Sequence, residues 1–209
     1  MPRPSTPRIS RDAAVRASIE IIDAEGLEAF SLPRLARHLG VQAPSLYHHF
    51  ADKNEIFVEV ARFIGGSSVA TPRRHAGDDW PEFFVALALN FRRSILKHRN
   101  AAPILLQYLP RSLFIETYED TAHFLKDPGI PSDLHVRILD GLETLSIGAV
   151  LIEAMRPATT KSTIFPNVDP ESQQLLAQAL AENEYTQRML YVELVRSFLH
   201  GVVRERCPG

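Results

Sequence analysis

Between Gly40 and Lys53 the chain mixes groups that can hold nucleic acid with groups that can only be buried. Leu46 and Phe50 lie four apart, so on a helix they share one face and point inward. Gln42, Ala43, Ser45, Tyr47, His48 and His49 are left outside, with Pro44 opening the turn. A helix that enters a DNA major groove needs short or polar side chains on one face, apolar anchors on the other and a firm turn behind it. The residue types suit that task. The hydroxyls of Ser31, Ser45 and Tyr47 and the Lys53 ammonium match phosphate oxygens, the Gln42 amide matches a base edge, and Ala43 or Pro44 matches a thymine methyl. Plainer roles stay open: half-buried packing for Tyr47, solvated surface for His48, His49 and Lys53, and an exposed helix face for Arg34 and Arg37.

Positioning these groups requires helices, and the chain supplies them. Apolar residues recur at helical spacing almost throughout and alternate almost nowhere, which predicts an all-α protein of nine or ten helices. Ser10 reads as an N-cap and Gly26 as the stop of a first helix carrying Ala14, Ala17, Ile21 and Ile22. Ser31 caps a second, with Pro33 in its first turn and Gly40 at its end. A short third helix begins at Pro44, and Asp52 with Glu55 forms a capping-box pattern ahead of a fourth that closes at Gly65 and Gly66. Together these predict a DNA-binding domain over 10–64 with a helix-turn-helix, behind a flexible Pro-rich arm over 1–9. Arg3 and Arg8 in that arm suit a minor groove or simply a disordered tail. A stretch rich in Gly, Ser, Pro and charge over 65–79 reads as a hinge before a larger helical domain over 80–209.

The segment AAVRASIEIIDAEGLEAFSLPRLARHLGVQAPSLYHHFADKNEIF resembles the DNA-binding domain of the TetR family, with LARHLGV, LYHHF and Lys53 carrying the match. The resemblance implies that Tyr47, His49 and Lys53 hold the DNA backbone while Gln42, Ala43, Pro44, Ser45 and His48 approach bases. Farther on, Phe91, Arg92, Arg93, His98, Arg99 and Pro110 follow an order similar to the ligand domain of the family's tetracycline-repressor subgroup. There the chain departs from its pattern: Leu105 stands where that subgroup has a metal-binding histidine, and Tyr108 where it has a contact threonine. A more apolar effector than magnesium-tetracycline is implied.

In the second domain the segmentation predicts helices at 80–97, 101–108, 111–126, 133–155, 170–182 and 184–206, with a long loop at 156–170. Leu134, Ile138, Leu142, Leu145, Ala149 and Ile152 form one stripe, and Met189, Val192, Val195, Leu199 and Val202 another. Such stripes fit a dimer seam between two copies, or the chain's own core. Aromatic residues gather between Trp80 and Phe124, so an apolar small-molecule pocket is expected, with Phe91, Ile95, Leu105, Tyr108, Phe114, Thr121, Phe124, Glu143 and Ile147 as candidate ligand contacts. Glu143 among leucines is costly to bury without a partner, and a rim salt bridge accounts for it as well as a ligand does.

Composition narrows the classes. A net charge of −2 excludes a surface coated in basic groups, so any DNA contact is local: Arg34, Arg37 and Lys53 against Asp52 within 31–53. No apolar run is long enough to span a bilayer, MPRPSTPRIS lacks a signal peptide's apolar centre, and the single Cys207 can form no internal disulfide, so a cytoplasmic protein is expected. No nucleophile motif, Gly-rich phosphate loop or paired catalytic acids stand out, and His98, His123 and His135 do not share a metal-ligand spacing; catalytic residues, metal and cofactor are all expected to be absent. The expectation is a homodimeric repressor that binds double-stranded operator DNA and is released by a small apolar or aromatic effector, with an activator or a regulator controlled by a partner protein as the alternative.

Overall fold

The computed structural model describes residues 9–66, 79–108, 111–156 and 164–204. Arg3, Arg8 and the arm over 1–8, the centre of the expected hinge at 67–78, Pro110, the loop over 157–163 and Cys207 lie outside the described residues. Among the described residues there are ten α-helices and no strand.

The first four helices begin and end on local chemistry. α1 (Arg11–Glu25) starts where the Ser10 hydroxyl oxygen accepts the Ala13 N–H at 3.1 Å and stops at Gly26, whose φ of 89° suits a residue without Cβ. α2 (Leu32–His38) is capped by Ser31, which accepts the Arg34 N–H at 3.3 Å. α3 (Ala43–Tyr47) starts one residue earlier than expected, because Gln42 takes the cap position and its carbonyl accepts the Ser45 N–H at 2.9 Å. α4 (Lys53–Gly66) opens on a reciprocal cap: the Glu55 N–H donates to Asp52 at 3.0 Å and the Ala51 N–H to Glu55 at 2.7 Å.

The remaining helices are α5 (Trp80–Lys97), α6 (Ala102–Tyr108), α7 (Ile115–Lys126), α8 (Ser132–Met155), α9 (Gln174–Glu182) and α10 (Gln187–Arg204). Three starts differ from expectation by three residues or more, and those of α6 and α8 by one. The segment over 111–126 opens as a 3-10 turn, Arg111–Phe114, before α7. α9 starts later than 170 because Asp169 is committed to a local turn, accepting from the Ser172 hydroxyl at 2.5 Å and the Glu171 N–H at 3.0 Å. α10 starts at Gln187 because Thr186 supplies the cap, accepting the Met189 N–H at 3.2 Å.

α5, α8 and α10 pack on one another, while α4 packs against α1, α5 and α6. One continuous apolar core results, with Phe30, Leu35, Leu46 and Phe50 at one end and Phe84, Ile95, Ile138, Val195 and Leu199 at the other. Each such side chain contributes about 1.5–3 kcal/mol by leaving water. α8 and α10 meet closely at Gly141, where an added Cβ would overlap the Phe198 ring.

The stripes expected to form a dimer seam are partly spent within the chain. Leu134, Ile138 and Leu142 on α8, and Val195, Leu199 and Val202 on α10, are buried in the chain's own core. The reason is that α8 carries apolar residues on more than one face, and the stripe with helical period turns toward α5 and α10. Ile152 and Met189 of those stripes stay exposed, together with Val136, Met155 and Leu194.

Candidate functional site

Leu46 and Phe50 are buried, as α3 needs if its opposite face is to stand free. On that face Gln42, Pro44, Tyr47 and His48 are exposed, Tyr47 at 57%, while Ala43, Ser45 and His49 are half-buried. Ser31 is exposed, although its hydroxyl oxygen already serves the α2 cap. Lys53 is turned elsewhere. Its ammonium donates to the Phe30 carbonyl at 3.1 Å and lies 5.0 Å from the Phe57 ring centre and 5.6 Å from that of Phe30, so it braces the α2 entrance from inside.

One residue that the sequence did not single out steadies the turn after α3. Arg11 donates to the His49 carbonyl and, at 2.6 Å, to Glu55, and its guanidinium sits 4.6 Å above Phe50. The Ala51 N–H first and the Arg11 pair second hold the Glu55 carboxyl below its ordinary range. Nearby, Arg34 pairs with Glu25 and the His38 ring nitrogen meets Glu20 at 3.1 Å, so part of the local basic charge is already balanced.

Two sets of contacts join α1 and α4 to the helices beyond. His98, buried at the end of α5, meets the Asp23 carboxylate at 2.7 Å, and Asn100 donates to the Asp23 carbonyl at 3.0 Å. Tyr108 on α6 donates to Asn54 at 2.8 Å and packs edge-on against Phe57, while Ser94 donates to the Ile64 carbonyl at 2.7 Å. The end of α5 is in turn clamped to α8: Arg92 forks onto Glu153, and Arg99 donates to the Glu153 and Arg156 carbonyls at 2.7 and 3.0 Å.

A cavity of about 130 Å³ opens between these helices. α5 contributes Leu87, Ala88 and Phe91, and α8 contributes Leu139, Leu142, Glu143 and Ser146. Phe114, Thr117, Tyr118 and Thr121 line it from the 3-10 turn and α7, and Gly65 closes it from the last turn of α4. Glu143 is not alone there: Tyr118 donates to it at 2.8 Å and Arg111 at 3.2 Å, and Arg111 also donates to Asp140 at 2.8 Å. Burial first, and then the bond to Glu143, pushes the Tyr118 phenol far up.

Of the nine candidate contacts, Phe91, Phe114, Thr121 and Glu143 come together around this cavity. The other five do not line it. Ile95 and Leu105 are fully buried core, Ile147 is half-buried against that core, Tyr108 is bound to Asn54, and Phe124 stacks on Phe83 at 4.1 Å. Thr117, Tyr118, Leu139, Leu142 and Ser146 were missed, though a signal existed: 114, 117, 118 and 121 share one helical face, as do 139, 142, 143 and 146. Among the described residues no three His, Cys, Asp or Glu side chains gather to hold a metal, and no helix is long and apolar enough to cross a membrane.

The model for bacterial regulatory proteins of the tetR family matches residues 14–60, and that for the tetracyclin repressor-like C-terminal domain matches residues 71–197. The class C tetracycline repressor protein of Escherichia coli is 32% identical over 146 residues, which cover 69% of this chain and 66% of that protein. Thus the match spans about two thirds of that relative's length. The fold is similar to that of TetR from Acinetobacter baumannii, with a TM-score of 0.76 at 22% identity over 95% of this chain and 98% of that one. It is also similar to Streptomyces coelicolor ActR in complex with actinorhodin, with a TM-score of 0.75 at 22% identity over 94% and 98%. The two family models together span both the helix-turn-helix and the cavity-bearing helices, and the chain belongs to the TetR family of bacterial transcriptional regulators.

Proposed function

We propose that this chain is a ligand-responsive repressor of the cytoplasm: a homodimer presents α3 of each copy to double-stranded operator DNA, and a small apolar or aromatic effector in the cavity releases it. One observation carries the reading. Gly65, in the last turn of α4, forms part of the cavity wall, and the first turn of the same helix follows α3 after the short turn over 48–52. α4 therefore connects the two sites as a single rigid element. The cavity is small beside the roughly 300–1,000 Å³ of drug-sized pockets. A larger effector must push its walls outward, and the α4 end is one of them. Tyr108 on Asn54 and His98 on Asp23 would carry that displacement into the DNA-binding helices. Coupling of this kind is worth about 1–3 kcal/mol, a five- to 150-fold change in operator affinity.

Tyr47, His49 and Lys53 are assigned to the DNA backbone and Gln42, Ala43, Pro44, Ser45 and His48 to bases, with Lys53 exchanging the Phe30 carbonyl for a phosphate. Exposed Val136, Ile152, Met155, Met189 and Leu194 supply the apolar surface for pairing with a second copy. The relatives support the scheme: the E. coli protein is by name a tetracycline repressor, and ActR was solved with actinorhodin bound. A magnesium-chelated tetracycline fits poorly here, since Leu105 is 1% exposed and offers no metal ligand.

Fluorescence anisotropy on labelled DNA from upstream of the coding region, titrated with the full-length chain, tests this. Two copies per site are expected, with affinity lost in Tyr47→Ala and lowered by a binding aromatic compound. A monomeric complex, or a complex that no cavity-binding compound weakens, overturns the reading.

A further inference from the structure

We propose that the effector is an aromatic amine, cationic at neutral pH, whose ring lies on α5 and whose ammonium faces Glu143. This deepens the ligand-responsive reading and rests on it. The cavity has two unlike walls. Leu87, Ala88 and Phe91 on α5 offer carbon alone, which suits the face of a ring. The opposite wall, from α7 and α8, carries the polar atoms, and what decides its preference is where their hydrogens already go.

Tyr118 spends its single O–H on Glu143 at 2.8 Å, and Thr121 spends its own on the Thr117 carbonyl at 2.6 Å. A hydroxyl that has given its hydrogen keeps only lone pairs to offer, and an ionised carboxylate never has anything else. Ser146, 4% exposed, has a buried hydroxyl oxygen with no hydrogen-bond partner; Tyr191 beside it donates instead to the Ala88 carbonyl at 3.3 Å. A buried polar atom left unpaired costs about 1–3 kcal/mol, so a polar ligand atom that reached this hydroxyl, giving or taking a hydrogen, would relieve that cost. Tyr118, Thr121 and Glu143 therefore offer acceptors to the cavity, while the hydroxyls of Thr117 and Ser146 can act either way.

Charge points the same way. Among the described residues Arg111 is the cation bonded to Glu143, and it is shared with Asp140, so these three side chains carry one net negative charge. A cation is favoured beside it and an anion is repelled, more strongly at a partly buried wall than in open water. The size of the cavity suits a single aromatic ring, since an apolar cavity of about 150 Å³ holds benzene.

The test uses the full-length chain and three probes of one shape: para-fluorobenzylammonium, para-fluorotoluene and para-fluorobenzoate, followed by fluorine NMR of the ligand. The ammonium is expected to bind at least tenfold tighter than the benzoate. Glu143→Gln should cut ammonium affinity about tenfold and leave fluorotoluene affinity unchanged, which also reports that the variant is folded. Thr121→Val, which removes an acceptor without touching the ion pairs, should cost the ammonium about threefold and fluorotoluene nothing. Benzoate binding as tightly as the ammonium, or a preference that survives Glu143→Gln, overturns the proposal. Binding by none of the three probes overturns it as well, and the ligand-responsive reading then still stands if another compound releases the operator.

Discussion

In α1 to α4 the helix ends are set by partners close by in sequence, whereas in α5 to α10 the arginine ion pairs that join one helix to another reach far along the chain. Ser10 serves Ala13, Ser31 serves Arg34, Asp52 and Glu55 cap each other's turn, and Arg34 pairs with Glu25 nine residues away. Longer ties exist in that region too: Arg11 reaches Glu55 and Glu59 across 44 and 48 residues, and Lys53 the Phe30 carbonyl across 23. Beyond it, Arg111 joins Glu143 across 32 residues, Arg92 joins Glu153 across 61, and Arg196 joins Glu82 across 114. A unit fixed by local caps keeps its helix angles whatever happens elsewhere. One held by distant ties transmits movement, because shifting one helix strains a bond to another. The difference suits a rigid probe attached to a deformable sensor.

The most severe way to break the first region is Phe50→Ala, which removes the anchor under α3 and the ring beneath Arg11. We expect a loss of about 3–5 kcal/mol in chemical denaturation, with operator binding abolished. Next is Arg92→Met, which strands a mostly buried Glu153 and should cost about 2 kcal/mol. If the long ties matter as described, this variant also changes how strongly effector lowers operator affinity, measured by anisotropy with and without ligand. Ser31→Ala should cost about 1 kcal/mol and weaken operator binding without altering the response to effector. Were Ser31→Ala to change the response and Arg92→Met to leave it alone, the contrast between the regions would be wrong.

The smallest effect is one of pH. Arg196 beside Glu82 holds that carboxyl below its ordinary value of 4.5, so the pair stabilises the fold fully above that value. Its contribution drains away as acidification carries the solution through Glu82's own, lower value. Glu82→Gln should therefore be less stable than the parent at neutral pH, and the gap should close in strong acid. Calorimetric Tm values across that range would show it, and a gap independent of pH would mean the pair contributes packing alone.

The same contrast explains what was legible in the sequence. Ser10, Gly26, Ser31, Asp52 and Glu55 mark helix ends by chemistry that needs only near neighbours, and each behaves as those rules require. Lys53 escaped them because its aim is set by the Phe30 carbonyl 23 residues earlier and by two rings. In the second region, residue type indicated an aromatic, apolar cavity and picked out Phe91, Phe114, Thr121 and Glu143. It could not say where along each helix the cavity begins and ends. Ile95, one turn beyond Phe91 on the same face, is in the core, while Leu87 and Ala88, one turn before it, line the cavity. That extent is decided by what α5 meets on the neighbouring helices, which no local pattern encodes.

Gly141 turns this into a constraint on the future of the chain. Against the longest helix lies the Phe198 ring of the last one, in the space that a larger group at Gly141 would claim. Glu143 is two residues away, so a methyl acquired at Gly141 must be met either by a swing of the half-buried Phe198 ring or by a shift of α8 that carries the carboxylate of the cavity with it. Where α8 gives way, drift at this position, flanked by the cavity-lining Leu139, Leu142 and Glu143, would alter what the protein answers to.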